Sequence, residues 1–303
     1  MTALHEKAML VSLDISYWRA TTTNRQATDT AAASLSTSAP WVGVTGKLIP
    51  KPVLDGVRRI AGQARNYLDG KSPGAADGKY LPGGLPHWDP PYRILPSAHG
   101  FNDRVTRNLG AFKDKFDEEV EKIRRVLPDA IEQAKRDNPE IAGQYFFPPV
   151  DDIIAEKFGF DWKLDIISDS DDIRVSTSKE TYAALRDSLK ERAEKKMNEV
   201  TTHSVRTVIE VARHLADSLD QYDPDDKAKS PFRDSTVDRV RDLVPVIRAL
   251  NVKADAQIDK AATDLLAAVG NKSAKELRTD TDGRKATAAA ARKVADNIDS
   301  IFN

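Results

Sequence analysis

Five histidines, His5, His87, His99, His203 and His214, are the first candidates for acid–base chemistry or metal ligation. His203 and His214 are eleven residues apart on one helical stretch, roughly 16 Å along its axis. They cannot share a metal ion, which leaves them structural roles. The segment Gly43-Val44-Thr45-Gly46-Lys47 resembles a phosphate loop. A working loop needs two glycines with four residues between them, then lysine and a hydroxyl residue for magnesium. Trp41 stands where the first glycine belongs, and Leu48 follows the lysine. Asp169, Asp171 and Asp172 suggest calcium, but an EF-hand loop needs glycine at its sixth position and glutamate at its twelfth. No start within that run supplies both. Asp280-Thr281-Asp282-Gly283 fails as well, because Arg278 occupies the first ligand position. No serine lies in a nucleophile-elbow context. The many carboxylates mostly answer nearby lysine or arginine, as Glu118 answers Lys122 one helical turn away. The chain has no cysteine, so thiol catalysis, disulfides and cysteine zinc sites are excluded. The residue chemistry points to no catalytic residue, no metal and no cofactor, and the chain reads as a non-enzyme.

The elements that would position a site are clearer. From Ser178 to Gln221 there is neither Pro nor Gly. Tyr182, Leu185, Leu189, Ala193, Met197, Val200, Val208, Val211, Leu215 and Leu219 recur three or four residues apart, with Ser204 as the weak step. That is one buried stripe on a helix of roughly 60 Å. A second long helix is expected over 101–136. Its stripe of Phe101, Val105, Leu109, Phe112, Phe116, Val120, Ile123, Leu127, Ile131 and Ala134 steps by 4, 4, 3. An eleven-residue repeat keeps such a stripe nearly straight. Pro128 should kink or split this helix. The two long helices are expected to pack antiparallel, each covering the other's stripe.

Around them the chain alternates between order and punctuation. Leu10 to Trp18 reads as a half-buried strand. Arg19 to Pro40, rich in Thr, Ala and Ser, reads as a mobile or loosely helical connector. Lys51 to Leu68 is an amphipathic helix burying Leu54, Val57, Ile60, Ala61, Ala64 and Leu68. Gly70 to Gly100 holds six prolines and six glycines and reads as an irregular loop. Tyr80, Trp88 and Tyr92 within that loop are the candidate partner-binding residues, because Trp and Tyr dominate interface hot spots. After a short helix near Ile153 to Phe158, strands are expected at 162–166 and 173–175 around an acidic turn. Three shorter helices follow a polar break at Asp223: about 234–250, kinked near Pro245, then 254–269 and 284–302.

The fold class expected is therefore mostly α with a small antiparallel β-sheet, α+β: a long antiparallel helical hairpin plus shorter C-terminal helices. The expected organisation is a long-helix domain over 1–222, with the irregular loop at 70–100, and a C-terminal helical segment over 223–303. Charged residues make up 31% of the chain and nearly cancel, to a net charge of -1. That balance gives no global attraction to nucleic acid or anionic membranes. No run approaches the ~20 apolar residues of a membrane span. The expectation is a soluble, cytoplasmic protein.

Three blocks carry a family resemblance: GKLIPKPVLDGVRRIAGQARNYL from Gly46, YRILPSAHGFNDRVTRNLGAFKDKFDEEVEKIRRVLP from Tyr92, and IAEKFGFDWKLDIISDSDDIRV from Ile154. Their order and character over about residues 9–220 resemble a family of uncharacterised proteins from tailed phages and prophages. Such proteins are often encoded near a MoxR-type AAA+ ATPase and a von Willebrand A-type protein. The resemblance implies a phage-encoded interaction protein, an adaptor or accessory factor of that ATPase system, in the infected host cell. The alternative is a virion structural or assembly component, with a phage assembly protein or a second copy as partner. A nucleic-acid binder in phage replication or recombination is the second alternative. Arg104, Arg107, Lys113 and Lys115 favour it, and the acidic run Glu118 to Glu121 beside them weakens it. The family brings no known catalytic residues.

Overall fold

The computed structural model describes residues 4–37, 41–98, 100–139, 145–169, 178–224 and 232–302. The strand expected at 173–175 and His99 lie outside the described residues. The fold is mostly helical with small antiparallel ladders. A single turn, α1 (Leu4–Lys7), leads into β1 (Ala8–Ser16). Both Leu10 and Val11 are buried although they point to opposite faces, so β1, the middle strand of the order β4-β1-β5, is covered on both of its faces there.

The chain forms two compact units that interleave in sequence. One comprises Met1–Leu13, Ala64–Leu109 and Trp162–Asn303; the other comprises Asp14–Gln63 and Gly110–Asp161.

In the second unit the stretch expected to be a connector is ordered. β2 (Thr21–Thr23) pairs antiparallel with β3 (Thr45–Lys47), and α2 (Arg25–Ser34) lies between them in sequence. Asn24 caps this helix by accepting from the Ala27 amide at 2.9 Å. Thr28 ties it down, its hydroxyl accepting from the Val44 amide at 3.0 Å. Alanines at 31–33 then suit the helix interior. A 3₁₀ turn at Lys51–Leu54 opens α3 (Asp55–Leu68), and every apolar position of its stripe is buried. The same holds along α4 (Phe101–Asp137), all ten of whose stripe residues are buried. Pro128 does not split α4. Leu127, Ala130 and Ile131 are buried on both sides of it, and that burial offsets the missing backbone bond. α5 (Val150–Lys157) precedes β5 (Gly159–Asp165), where the Phe160 ring meets Phe116 at 5.6 Å.

The first unit is built on α6 (Lys179–Asp220), capped by Ser178. The C-terminal helices are α7 (Asp234–Leu250), α8 (Ala256–Val269), α9 (Ala274–Thr279) and α10 (Thr281–Phe302). The second half of α6 shares one core with them, from Val205 through Leu219 and Tyr222 to Val240, Leu265 and Ile298. The long antiparallel pair along residues 200–219 is therefore α6 with α10, where the sequence pointed to 101–136. Arg213 reaches Asp299 at 2.9 Å, and Arg292 pairs with Asp217 and Asp220, which fixes the opposed directions. Ala288, Ala291 and Ala295 are buried on α10, and their small side chains let the helices approach closely. Ser204 is not a gap in the stripe. It is fully buried, and its hydroxyl donates to the Val200 carbonyl at 3.0 Å. α7 runs on through Pro245, with Val244, Val246 and Ile247 buried around it. The short helix α9 was not foreseen; a Ser273–Glu276 capping box starts it.

The irregular loop is also more structured than expected. Tyr92–Pro96 forms β4, antiparallel to β1 with Leu10 opposite Ile94. β4 is an edge strand of its sheet, where a terminal proline costs no ladder bond.

Candidate partner-binding face

The proline- and glycine-rich stretch from Asp69 to Arg93 forms a strap fastened to helices of its own unit at four places. At its start, Asn108 is fully buried on α4. Its Oδ1 accepts from the Ala76 amide at 2.8 Å, and its Nδ2 donates to the Tyr67 hydroxyl at 3.2 Å and the Arg104 carbonyl at 2.9 Å. Arg104 adds a bond to Asp77 at 2.8 Å and another to the Tyr80 carbonyl at 2.8 Å. Burial pushes the Tyr67 phenol well above its ordinary range. The Asp77 carboxyl is held below its ordinary value: burial opposes this, but the Lys79 amide and Arg104 prevail.

The second fastening is Tyr80. Its amide donates to Asp242 of α7 at 2.9 Å, and its ring lies 4.8 Å beneath the Arg239 guanidinium. Burial raises the Asp242 carboxyl above its ordinary value, against the pull of the Tyr80 amide and Arg104.

The third is the double glycine. Gly83 and Gly84 both hold positive φ, +79° and +72°. Gly83 abuts the Thr207 side chain, and the Gly84 carbonyl accepts from His203 Nε2 at 3.1 Å. Burial lowers the His203 pKa below its ordinary value, outweighing the Gly84 bond.

The fourth is Trp88 with Asp89. The indole lies 5.0 Å from the Arg192 guanidinium and 5.8 Å from the Lys196 ammonium. Lys196 also donates to the Trp88 carbonyl at 2.9 Å, and Arg192 pairs with Asp89. Beyond it, Tyr92 stands on β4, half-buried, and its hydroxyl donates to Asp165, which raises its pKa.

Tyr80, Trp88 and Tyr92 are thus half-buried and engaged within their own unit. None stands clear of the surface as a free anchor. The charged residues that hold them, Arg192, Lys196, Arg239 and Asp242, were missed. One signal was available. Lys196 falls three residues after Ala193 and four before Val200, so it sets a charge beside Met197 at the edge of the apolar stripe of α6.

The exposed surface lies elsewhere. Along the first half of α6, Tyr182, Leu189, Ala193 and Met197 are only half-buried, and Leu185 is 38% exposed. After Val200 the same stripe packs into the helical core, with Val208, Leu215 and Leu219 buried and Val211 partly so. An open cleft of about 730 Å³ borders this half, lined by His87, Glu191, Lys195, Glu199, His203 and Arg206 among others. Its charges are mixed, and it presents no single-sign field to steer an ion. Among the described residues, no three His, Asp or Glu side chains are grouped to hold a metal ion, and no helix is long and apolar enough to cross a membrane.

No family model, curated protein or solved structure matches this chain.

Proposed function

We propose that this chain is a non-enzymatic interaction protein that receives a protein partner on the first half of α6. The supporting observation is the change along one helix. The stripe packs against the chain's own helices after Val200, and is half-open from Tyr182 to Met197. An amphipathic helix or extended segment laid along an open apolar stripe gains about 1.5–3 kcal/mol for each large side chain it buries. The phage-family resemblance makes an AAA+ ATPase of the MoxR type the first partner to test, with the chain as its adaptor in the cytoplasm of the infected host cell.

The test is Leu185→Asp with Leu189→Asp in the full chain, assayed for binding to a MoxR-type ATPase. Binding is expected to drop at least tenfold while the melting temperature holds, because neither residue belongs to the buried core. Unchanged binding would overturn the reading. Light scattering on the same samples tests the assembly alternative, in which a second copy occupies the stripe and the variant turns an oligomer into a monomer.

A further inference from the structure

We propose that the Arg192–Lys196 step of α6 is an acceptor for an aromatic–acid pair, and that Trp88–Asp89 is its internal occupant, displaced when a partner presents the same pair. This rests on the reading that α6 receives partners and names the chemistry such a partner carries.

Two residues one helical turn apart recognise three features of the strap at once. Both cations lie over the indole, at 5.0 and 5.8 Å. Both face the Asp89 carboxylate, Arg192 as a direct ion pair and Lys196 at 3.8 Å. The Lys196 ammonium also holds the Trp88 carbonyl, and Glu199 orients it from the other side at 2.9 Å. Lys196 has only 13% of its side chain exposed, so its charge lies on the covered face of the helix. A charge in that position is costly unless paired, and Glu199 and the strap share the pairing.

The grip is nevertheless weak at its outer edge. The side chains of Arg192 and Asp89 are 47% and 54% exposed, and ion pairs at that exposure contribute little and are screened by salt. A small cavity of about 90 Å³, lined by Leu10, Trp88, Ile167, Leu189, Arg192 and Ala193, lies beside the ring. The strap's other fastenings, at Tyr80 and Gly83–Gly84, do not depend on Trp88. The segment around Trp88 can therefore lift while the unit stays folded, and a tethered occupant of this kind lowers a partner's apparent affinity until it lifts. The surface it uncovers continues the open stripe at Leu189 and Ala193. A Trp, Tyr or Phe followed by Asp or Glu is the sequence that replaces it.

The probe is a synthetic peptide of residues 85–93, LPHWDPPYR, titrated into full-length protein. The Trp88→Ala/Asp89→Ala variant has an emptied acceptor. It is expected to bind the peptide at least tenfold tighter than the wild type does, and to lose that binding when Arg192 and Lys196 are also changed to Ala. Equal binding by wild type and variant, or no binding by a variant that melts cooperatively, overturns the proposal. If the variant does not fold, hydrogen exchange on the wild type decides. Raising salt from about 0.05 M to about 0.5 M collapses the screening length. Exchange at His87, Trp88 and Asp89 should quicken several-fold while α7 stays unchanged, and an unresponsive strap overturns the proposal. The ATPase takes no part in these measurements. An ATPase that binds α6 beside a peptide that does not would sink this inference and leave the partner reading standing.

Discussion

Gly83 and Thr207 meet with no room for a methyl group between them. The glycine holds φ +79°, and a Cβ built on it would overlap the threonine Oγ1 and Cγ2. Thr207 cannot swing away freely, because its hydroxyl donates to the His203 carbonyl at 2.8 Å. Gly83→Ala should therefore cost about 2–4 kcal/mol, combining backbone strain with overpacking. Urea denaturation measures it. A loss below about 0.5 kcal/mol would mean the strap does not depend on this close approach.

Asn108 is the buried polar hub of the strap's first fastening. Asn108→Ala removes the acceptor of the Ala76 amide and the bonds to the Tyr67 hydroxyl and the Arg104 carbonyl, and a buried group that loses its partner costs about 1–3 kcal/mol. The expected loss is about 2–4 kcal/mol, with faster amide exchange around 74–80. Tyr67→Phe removes the hydroxyl and keeps the buried ring, and should cost less than half as much.

The two halves of α6 should respond differently to the same change. Leu215 is fully buried in the shared helical core, and Leu215→Ala should cost about 2–5 kcal/mol. Leu185 is 38% exposed, and Leu185→Ala should stay within about 0.5–1 kcal/mol. Equal losses would mean the first half of the helix is as well covered as the second.

Stability should fall on acidification, starting at neutral pH. His203 has a folded pKa lowered from 6.5, chiefly by burial. His87 is lowered as well, by burial and then by Arg93. A lowered histidine binds fewer protons folded than unfolded, so its contribution is complete above about pH 6.5 and declines as pH drops below it. His203→Gln should flatten that decline, since the amide keeps a donor for the Gly84 carbonyl and does not titrate. Asp242 acts in the opposite sense, its raised pKa favouring the folded state as it protonates. Melting temperatures at half-unit steps from pH 8 to pH 4 would show both.

Much of this fold was legible from periodicity. The stripes of α3 and α4 are buried at every expected position, because their apolar residues have no other face to occupy. The partner of the 200–219 stripe was not legible. Stripe spacing says that a helix needs cover, and does not distinguish Phe112 on α4 from Ala291 on α10 as the residue that provides it. β4 was hidden for a related reason. Prolines at 90, 91 and 96 bracket a strand too short for alternation to stand out, and only its pairing with β1 makes it one. Tyr80, Trp88 and Tyr92 were found by residue type alone. Their seats on Arg239, on Arg192 with Lys196, and on Asp165 depend on contacts between residues far apart in sequence.

That separation bears on how the protein is made. The strap's bonds join residues 162 apart at Tyr80 and Asp242, 119 apart at Gly84 and His203, and 108 apart at Trp88 and Lys196. At about 5–20 residues per second, a ribosome finishes Tyr80 on the order of ten seconds before it reaches Asp242. Through that interval the half-finished chain carries indole and phenol rings whose seats do not yet exist. The helices from Val205 onward share one core, and they can pack on one another as they emerge. Translation thus delivers the clasp first and the body it closes on last, and a nascent chain stalled before α6 would leave its aromatic rings to whatever binds them first.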